Sequence, residues 1–140
     1  ENFEVDNKTL VGKHILLAED NDLNAEIAIT ILERAGLQVD RVENGVECVN
    51  KVIENPYGAY DLILMDIQMP KMDGYKATKE IRNLQDKDKV SIPIVAMTAN
   101  AFEEDKKKAF DAGMDGHIAK PINIEDLFVV LTDILNKQKS

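Results

Sequence analysis

Five polar residues that lie far apart in the sequence each follow a short apolar run. They are Glu19 and Asp20 after "HILLA", Asp66 after "LILM", Thr98 after "IVAM" and Lys120 after "GHIA". If the fold gathers them, three carboxylates repel one another, and Mg²⁺, which takes oxygen ligands and keeps several waters, relieves that repulsion. An ammonium and a hydroxyl beside the cation can hold oxygens of a bound anion, which makes a phosphoryl site. Asp66 can then act as an oxygen nucleophile that forms an acyl phosphate.

Each of these residues also has a purely structural interpretation. The acid pair Glu19–Asp20 can be loop acids ahead of a helix N-terminus, where negative charge is favoured, and Asp66 can cap the turn that follows it. Thr98 can be an ordinary strand-end hydroxyl, and Lys120 a solvated lysine. Any one of these interpretations is acceptable alone, but their coincidence at the ends of strands favours one shared site.

The elements that would position these residues follow from alternating short apolar runs and longer amphipathic segments. The five runs that predict strands are "HILLA", "LQVDRV", "YDLILMD", "IPIVAMT" and "GHIA". Strands that alternate with helices predict an α/β fold with a parallel sheet covered on both faces. Five of them indicate the flavodoxin-like, doubly wound (βα)5 arrangement with strand order 2-1-3-4-5. Sites in such sheets form beyond the carboxyl ends of the strands, where these polar residues would meet.

The helices are predicted from apolar residues at helical spacing, which form one face of each helix. On the first two helices these faces consist of Leu23, Ile27 and Ile31, and of Val46, Val49 and Ile53. Asn44 and Glu47 have capping-box spacing at the start of the second helix. Cys48 lies near the second apolar face and is expected to be packed rather than reactive.

Length and composition bound the function. The chain of 140 residues suits one domain, and 44% hydrophobic with 31% charged residues is an ordinary globular balance. A formal net charge of −9 argues against general affinity for nucleic acid or anionic membranes. The single cysteine excludes an internal disulfide and favours a reducing compartment. Residues 1–12 are predicted to be a polar leader or linker, residues 13–137 the domain, and residues 138–140 a tail.

Four segments, in this order, carry a resemblance to a known family: "ILLAEDN", "LILMDIQMPKMDG", "IPIVAMTANA" and "AGMDGHIAKPI". Over about residues 13–136 the sequence resembles the receiver domains of two-component signalling. The resemblance implies that Asp66 is the phosphoryl acceptor. It implies that Mg²⁺, the one expected cofactor, is bound by Asp20, Asp66 and the backbone carbonyl of Gln68, with Glu19 acting mainly through water.

By the same resemblance the remaining site residues act on the phosphoryl group. Thr98 would donate a hydrogen bond to it, and Lys120 would pair with it, from a Lys120–Pro121 bond that is often cis in the family. His117 stands where many members carry Tyr or Phe, which leaves the form of the conformational switch open. Gln68 and Asn100 border the expected path of hydrolytic water and are candidates for setting the lifetime of the acyl phosphate.

The motifs look most like receivers attached to hybrid sensor histidine kinases. This resemblance implies a phosphohistidine domain of a histidine kinase and a histidine phosphotransfer domain as partners, without nucleic acid or direct membrane contact. It implies a cytoplasmic location, or the cytoplasmic part of a membrane-anchored kinase. The domain itself would perform only self-phosphorylation and dephosphorylation, so its classification as an enzyme stays open.

Two alternatives to a hybrid-kinase receiver come from the same residues. The first is a stand-alone single-domain response regulator. The second is an aspartate-nucleophile phosphohydrolase, which usually has a second acid two residues after the nucleophile, where this chain has Gln68. A flavodoxin would need a neutral phosphate loop after the first strand instead of "AEDNDLN", and a degenerate docking module would typically lack the acceptor or the lysine.

Overall fold

The computed structural model describes residues 10–99 and 102–137, and within them strands and helices alternate. The strands are β1 (His14–Ala18), β2 (Gln38–Val42), β3 (Leu62–Asp66), β4 (Ile94–Thr98) and β5 (Gly116–Ala119). The helices are α1 (Asp22–Arg34), α2 (Gly45–Glu54), α3 (Gly74–Arg82), α4 (Lys87–Val90), α5 (Glu103–Ala112) and α6 (Ile124–Lys137). Only α4, a four-residue turn, has no counterpart in the sequence prediction, because so short a segment carries no periodicity.

All five strands are parallel and stand in the order β2-β1-β3-β4-β5, which confirms the predicted doubly wound sheet. Every residue of the central strand β3 is buried, as expected for a strand with helices on both of its faces. Alternate strand residues enter two core clusters. One contains Leu17, Leu64 and Val95 with α1 and α6, and the other contains Ile63 and Ala96 with α2, α3 and α5.

Helices α1 and α2 pack on the sheet through only part of the predicted faces: Ile31 and Val49 contact the core, whereas the other predicted residues do not. On α1 the buried residues are Ala25, Ala28 and Leu32, whereas Leu23 is 65% exposed and Ile27 45% exposed. The two alanines allow the helix backbone to approach the sheet closely, which turns the larger side chains toward solvent.

A similar correction applies to α2, where Val46 and Ile53 are exposed and Cys48, Val49 and Val52 are buried. The buried Cys48 confirms the expectation that it is packed. The cap of α2 is also confirmed, because the Asn44 side chain accepts from the Glu47 amide at 2.9 Å. In return, the Glu47 carboxylate accepts from the Glu43 amide. In a standard capping box the donor would be the amide of the cap residue, one position later.

Packing extends to the first described residues of the chain. Leu10 is fully buried, and the Gly12 amide donates to the Gly36 carbonyl at 2.9 Å. Residues 10–12 of the predicted leader therefore lie against the domain, whereas residues 1–9 and the tail 138–140 lie outside the described residues. Among the described helices, none has both the length and the apolar character to cross a bilayer.

The loop after β3 is held against the start of α3 by a close backbone approach. The Gly74 amide donates to the Ile67 carbonyl at 2.8 Å. A Cβ atom at Gly74 would collide with the carbonyl oxygen of Asp66 and lie 3.1 Å from the Ile67 Cα. Gly74 is therefore required for its size, since it allows α3 to begin directly beside the end of β3.

We expect Gly74→Ala to lower the free energy of unfolding by about 1–3 kcal/mol, the usual cost of adding a methyl group where packing leaves no room. Urea denaturation measures this change, and NMR should show shifted amides at Asp66 and Ile67. Gly58→Ala is a control for the NMR measurement alone: an added Cβ at Gly58 meets open space, but the φ of +90° makes this substitution costly in stability for a backbone reason. It should leave those amides in place, and undisturbed Asp66 and Ile67 resonances in Gly74→Ala would contradict the packing argument.

Candidate functional site

The carboxyl ends of four strands place the predicted site residues around one cleft of about 330 Å³. Glu19 and Asp20 follow β1, Asp66 ends β3, Thr98 ends β4 and Lys120 follows β5. All five residues line this cleft, together with Gln68 from the loop after β3. The prediction that sequence-distant polar residues converge at this edge therefore agrees with the geometry, although their individual roles stay predictions.

Lys120 bridges the two buried carboxylates of the cleft. Its Nζ lies 2.9 Å from Glu19 Oε1 and 3.1 Å from Asp66 Oδ1. The second carboxylate oxygen of Glu19 accepts from the Asn21 amide at 3.1 Å. The Lys120 amide donates to the Thr98 carbonyl at 2.8 Å, which fixes the lysine relative to β4. The Lys120–Pro121 peptide bond is cis, as the resemblance implies.

Burial and charge shift the protonation of this network in opposite directions. Burial raises the pKa of Asp66 to about 6; Lys120 opposes this effect and the Glu19 charge adds to it. Burial alone would lower the pKa of Lys120, but its hydrogen bond with Glu19 and the charge of Asp66 raise it overall. Lys120 is therefore a persistent cation, whereas Asp66 is a carboxylate that is more basic than usual but ionised near pH 7.

The acids of the cleft fit a hard divalent cation. One carboxylate oxygen from each of Glu19, Asp20 and Asp66 lies within 4.8 Å of the others. Formally, three carboxylates face one ammonium, so the set has an excess of negative charge. Oxygen donors at this spacing suit Mg²⁺, whose ligands lie at about 2.1 Å in an octahedron that usually includes waters. Both oxygens of Glu19 are engaged, one by Lys120 and one by the Asn21 amide, whereas Lys120 contacts Asp66 through Oδ1; Asp20 and Asp66 are therefore the more available donors for a cation.

The three residues predicted for the switch and lifetime have different outcomes, and one of them, Gln68, lines the cleft. Asn100 lies outside the described residues. His117, on β5, is partly buried and lies between two hollows. The inner hollow is shared with Thr98 and Tyr75, and the outer one with Phe110. His117 therefore borders both the Thr98 side of the sheet and the exposed Phe110, but its role in switching stays a prediction.

Several residues of the site were missed from the sequence. Tyr75, Asp105 and Lys108 also line the cleft, although they come from helices α3 and α5. Arg41 on β2 binds the main-chain carbonyl of Glu19. No short motif signals these contacts, because each joins segments that only the tertiary fold brings together.

Comparison with known proteins points to one family. A family model for the response regulator receiver domain matches residues 15–132. Hybrid signal transduction histidine kinase L from Dictyostelium discoideum is 42% identical over 125 residues. The peroxide stress-activated histidine kinase mak1 from Schizosaccharomyces pombe is 40% identical over 126 residues. These alignments cover 87% and 89% of this chain but only 7% and 8% of the relatives, so the chain spans less than a tenth of their length.

Two solved structures are similar along nearly the whole chain. The receiver domain of sensor histidine kinase PA1611 from Pseudomonas aeruginosa, with a magnesium ion in its active site cleft, has a TM-score of 0.80 and 36% identity. It matches 90% of this chain and 99% of its own. The Saccharomyces cerevisiae complex of the histidine phosphotransfer protein Ypd1 with the Ssk1 receiver domain gives a TM-score of 0.83 and 30% identity, and covers 92% of both chains.

The raised pKa of Asp66 predicts how its removal changes stability. The ordinary pKa of an aspartate is 3.8 and that of Asp66 is about 6. The folded protein therefore holds a proton that the unfolded chain has released, and the resulting stability is lost as pH rises through 6. At about pH 7.5 without Mg²⁺, Asp66→Asn should raise the free energy of unfolding by about 1–3 kcal/mol.

The difference in unfolding free energy between Asp66→Asn and wild type should largely disappear near pH 4, where Asp66 is neutral in the folded protein and about half protonated in the unfolded chain. Urea denaturation at both pH values measures it. Asp133→Asn is the control, because Asp133 is exposed and its ion pair with Lys137 lies on the helix surface; it should change stability by less than about 0.5 kcal/mol at either pH. A less stable Asp66→Asn protein at neutral pH would show that the Lys120 contact outweighs burial.

Proposed function

The chain belongs to the family of response regulator receiver domains of two-component signalling, and we propose that it accepts a phosphoryl group on Asp66 from a phosphohistidine. The observation that carries this proposal is a nearly buried carboxylate at the end of the central strand, paired with Lys120 at 3.1 Å and open to an acidic cleft. The relatives favour a receiver that belongs to a hybrid kinase and passes the group to a histidine phosphotransfer domain.

Asp66 would act as the nucleophile. Its carboxylate oxygen attacks phosphorus in line, and the bond from phosphorus to the donor imidazole nitrogen breaks, with the electron pair left on that nitrogen. The pKa near 6 leaves Asp66 ionised at neutral pH and makes it a stronger nucleophile than an ordinary aspartate. Lys120 would move from Asp66 to a phosphoryl oxygen, and the Thr98 hydroxyl would donate to another. Catalysis here is mainly positioning and electrostatic stabilisation.

Asp20, Asp66 and the main-chain carbonyl of Gln68 would hold Mg²⁺, with Glu19 acting through a water. The bound cation would neutralise charge on the transferring phosphoryl oxygens. The magnesium in the cleft of the PA1611 receiver supports this assignment. Gln68 argues against the phosphohydrolase alternative, because an amide cannot protonate a leaving group. Gln68 and Asn100 would instead influence the lifetime of the acyl phosphate by holding water.

The partner would dock beside the cleft on the first turns of α1. Asn21 and Asn24 line the cleft, and the neighbouring Leu23 and Ile27 expose large apolar side chains. A helical phosphohistidine domain that covers these two residues would bring its imidazole over Asp66. Exposed apolar side chains next to a polar site are typical anchors of such interfaces, and the Ypd1–Ssk1 complex is a receiver bound to a phosphotransfer protein.

His117 would report phosphorylation to the other side of the domain. When Thr98 moves toward the phosphoryl group, it leaves room in the hollow that it shares with His117. The imidazole ring can then turn inward, which changes the surface near Phe110.

The phosphoacceptor assignment is tested by intact mass after incubation with acetyl phosphate and Mg²⁺. Wild type should gain one phosphoryl group and Asp66→Asn should gain none, because an amide nitrogen does not form the acyl phosphate. Asp73→Asn is the matched control, since the same change at the cap of α3 preserves a side chain that can accept the Lys76 amide. Equal labelling of Asp66→Asn and wild type would overturn the proposal.

The docking surface is tested by comparing two phosphodonors. Leu23→Ser with Ile27→Ser should slow transfer from a phosphohistidine domain by about tenfold or more, since buried anchors of this kind are each worth roughly 1–2 kcal/mol. Phosphorylation by acetyl phosphate, which needs no partner surface, should keep its wild-type rate. Val129→Ser, an equally exposed apolar site on α6, should affect neither. Unchanged transfer from the phosphohistidine domain would place the partner elsewhere.

A further inference from the structure

Arg41 makes an unusual set of contacts near the end of β2. Its Nε and one terminal nitrogen donate to the main-chain carbonyl of Glu19 at 3.0 and 2.8 Å. Its other terminal nitrogen donates to the Asp22 carboxylate at 2.9 Å. The Arg41 side chain is only 21% exposed, whereas Asp22 is 91% exposed. The partly buried bonds to the carbonyl are therefore the substantial ones, since an exposed ion pair contributes little.

These contacts complete a clamp on the residue that precedes Asp20. The Glu19 amide donates to the Val42 carbonyl at 3.1 Å, so β2 holds both main-chain groups of Glu19. The carbonyl of Glu19 and the amide nitrogen of Asp20 belong to one planar peptide unit. Arg41 thereby fixes the backbone that carries Asp20, an exposed residue whose carboxylate position depends on that backbone.

We infer that Arg41 is a positioning residue that holds the Glu19–Asp20 peptide so that the Asp20 carboxylate meets Mg²⁺ together with Asp66. The inference rests on the proposed function, because it assigns Arg41 to the metal site of that reaction. Arg41 itself touches neither the metal nor the phosphoryl group in this role. It orders the Glu19–Asp20 peptide before the metal binds, so that less conformational entropy is lost on binding.

Three possible roles of Arg41 predict different changes in Mg²⁺ affinity when its side chain is removed. As a positive charge near the acidic cleft, Arg41 would repel Mg²⁺, so its removal would tighten metal binding. As a link between β2 and α1 alone, it would change stability and leave metal affinity unaltered. As a clamp, its removal weakens metal binding, because loss of a group that orients metal ligands typically costs tenfold or more in affinity.

The deciding measurement is a Mg²⁺ titration followed by the amide resonances of Asp20 and Asp66. Arg41→Met should raise the dissociation constant about tenfold. Arg41→Lys keeps the charge but cannot donate two parallel bonds to one carbonyl, so its constant should lie between those of Arg41→Met and wild type. Arg34→Met, which removes an exposed arginine from the last turn of α1, and Asp22→Asn, which removes only the exposed ion pair, should each change it by less than about twofold.

Two further readouts separate positioning from a general loss of structure. In Arg41→Met, ¹⁵N relaxation should show increased motion of the Asp20 amide but not of amides in β3. Phosphorylation by acetyl phosphate should slow about tenfold at limiting Mg²⁺ and recover most of its rate at saturating Mg²⁺. Circular dichroism and thermal unfolding check that each variant is folded. If Arg41→Met does not fold, the Mg²⁺ titration of Arg41→Lys decides the question.

The outcomes distinguish this inference from the proposed function. If wild type binds Mg²⁺ and is phosphorylated while folded Arg41→Met binds Mg²⁺ equally well or more tightly, the positioning role is overturned and the proposed function stands. Wild-type affinity in Arg41→Lys would also overturn it, because charge alone would then suffice. If wild type neither binds Mg²⁺ nor is phosphorylated on Asp66, the proposed function and this inference are both overturned.

Discussion

The crowding of carboxylates at the end of the central strand is the constraint on which the rest of the site depends. Glu19 and Asp66 are nearly buried and share one ammonium, Lys120. Burial disfavours a charged carboxylate, and a second carboxylate nearby disfavours it further. The arrangement is therefore less stable without a cation than an apolar one would be, and the raised pKa of Asp66 expresses that cost. The same excess of negative charge suits a hard divalent cation such as Mg²⁺, which the proposed phosphoryl transfer requires.

A rigid scaffold is needed to hold such a cluster together. Parallel strands supply it, because each site residue comes at the end of a strand whose neighbours fix its position. The loops are secured separately: Gly74 lets α3 start against the Asp66 peptide, the Lys120 amide bonds to β4, and Arg41 bonds to the Glu19 carbonyl. Each of these contacts joins a loop to a strand or helix that is already packed. The repelling carboxylates are thus kept in place by the backbone rather than by their mutual interactions.

The difference between residues at strand ends and the long-range contacts that secure the loops explains which features the sequence could predict. The buried run "LILMD" and the acids, threonine and lysine at strand ends are local patterns, so the fold and the position of the cleft followed from them. The contacts of Arg41 with Glu19, and of Tyr75 and Asp105 with the cleft, join residues that are distant in the sequence. Their partners are determined by helix placement and strand register, which no short pattern encodes. The unpredicted α4 is too short for periodicity, and Asn100 lies outside the described residues.

The part of the α1 prediction that is wrong, the burial of Leu23 and Ile27, has the same physical origin and bears on the proposed function. Helical spacing places Leu23, Ile27 and Ile31 on one face, and a solvent-exposed apolar face is normally unfavourable, so the pattern predicts that it is buried. The face that packs on the sheet instead consists of Ala25, Ala28 and Leu32. The two alanines bury less apolar area than larger side chains would, but they allow the helix backbone to lie closer to the sheet. Leu23 and Ile27 consequently stay in solvent next to two cleft residues, Asn21 and Asn24. Because exposed apolar residues beside the cleft add nothing to the stability of the isolated domain, their position agrees with the proposed docking of a phosphohistidine domain over them.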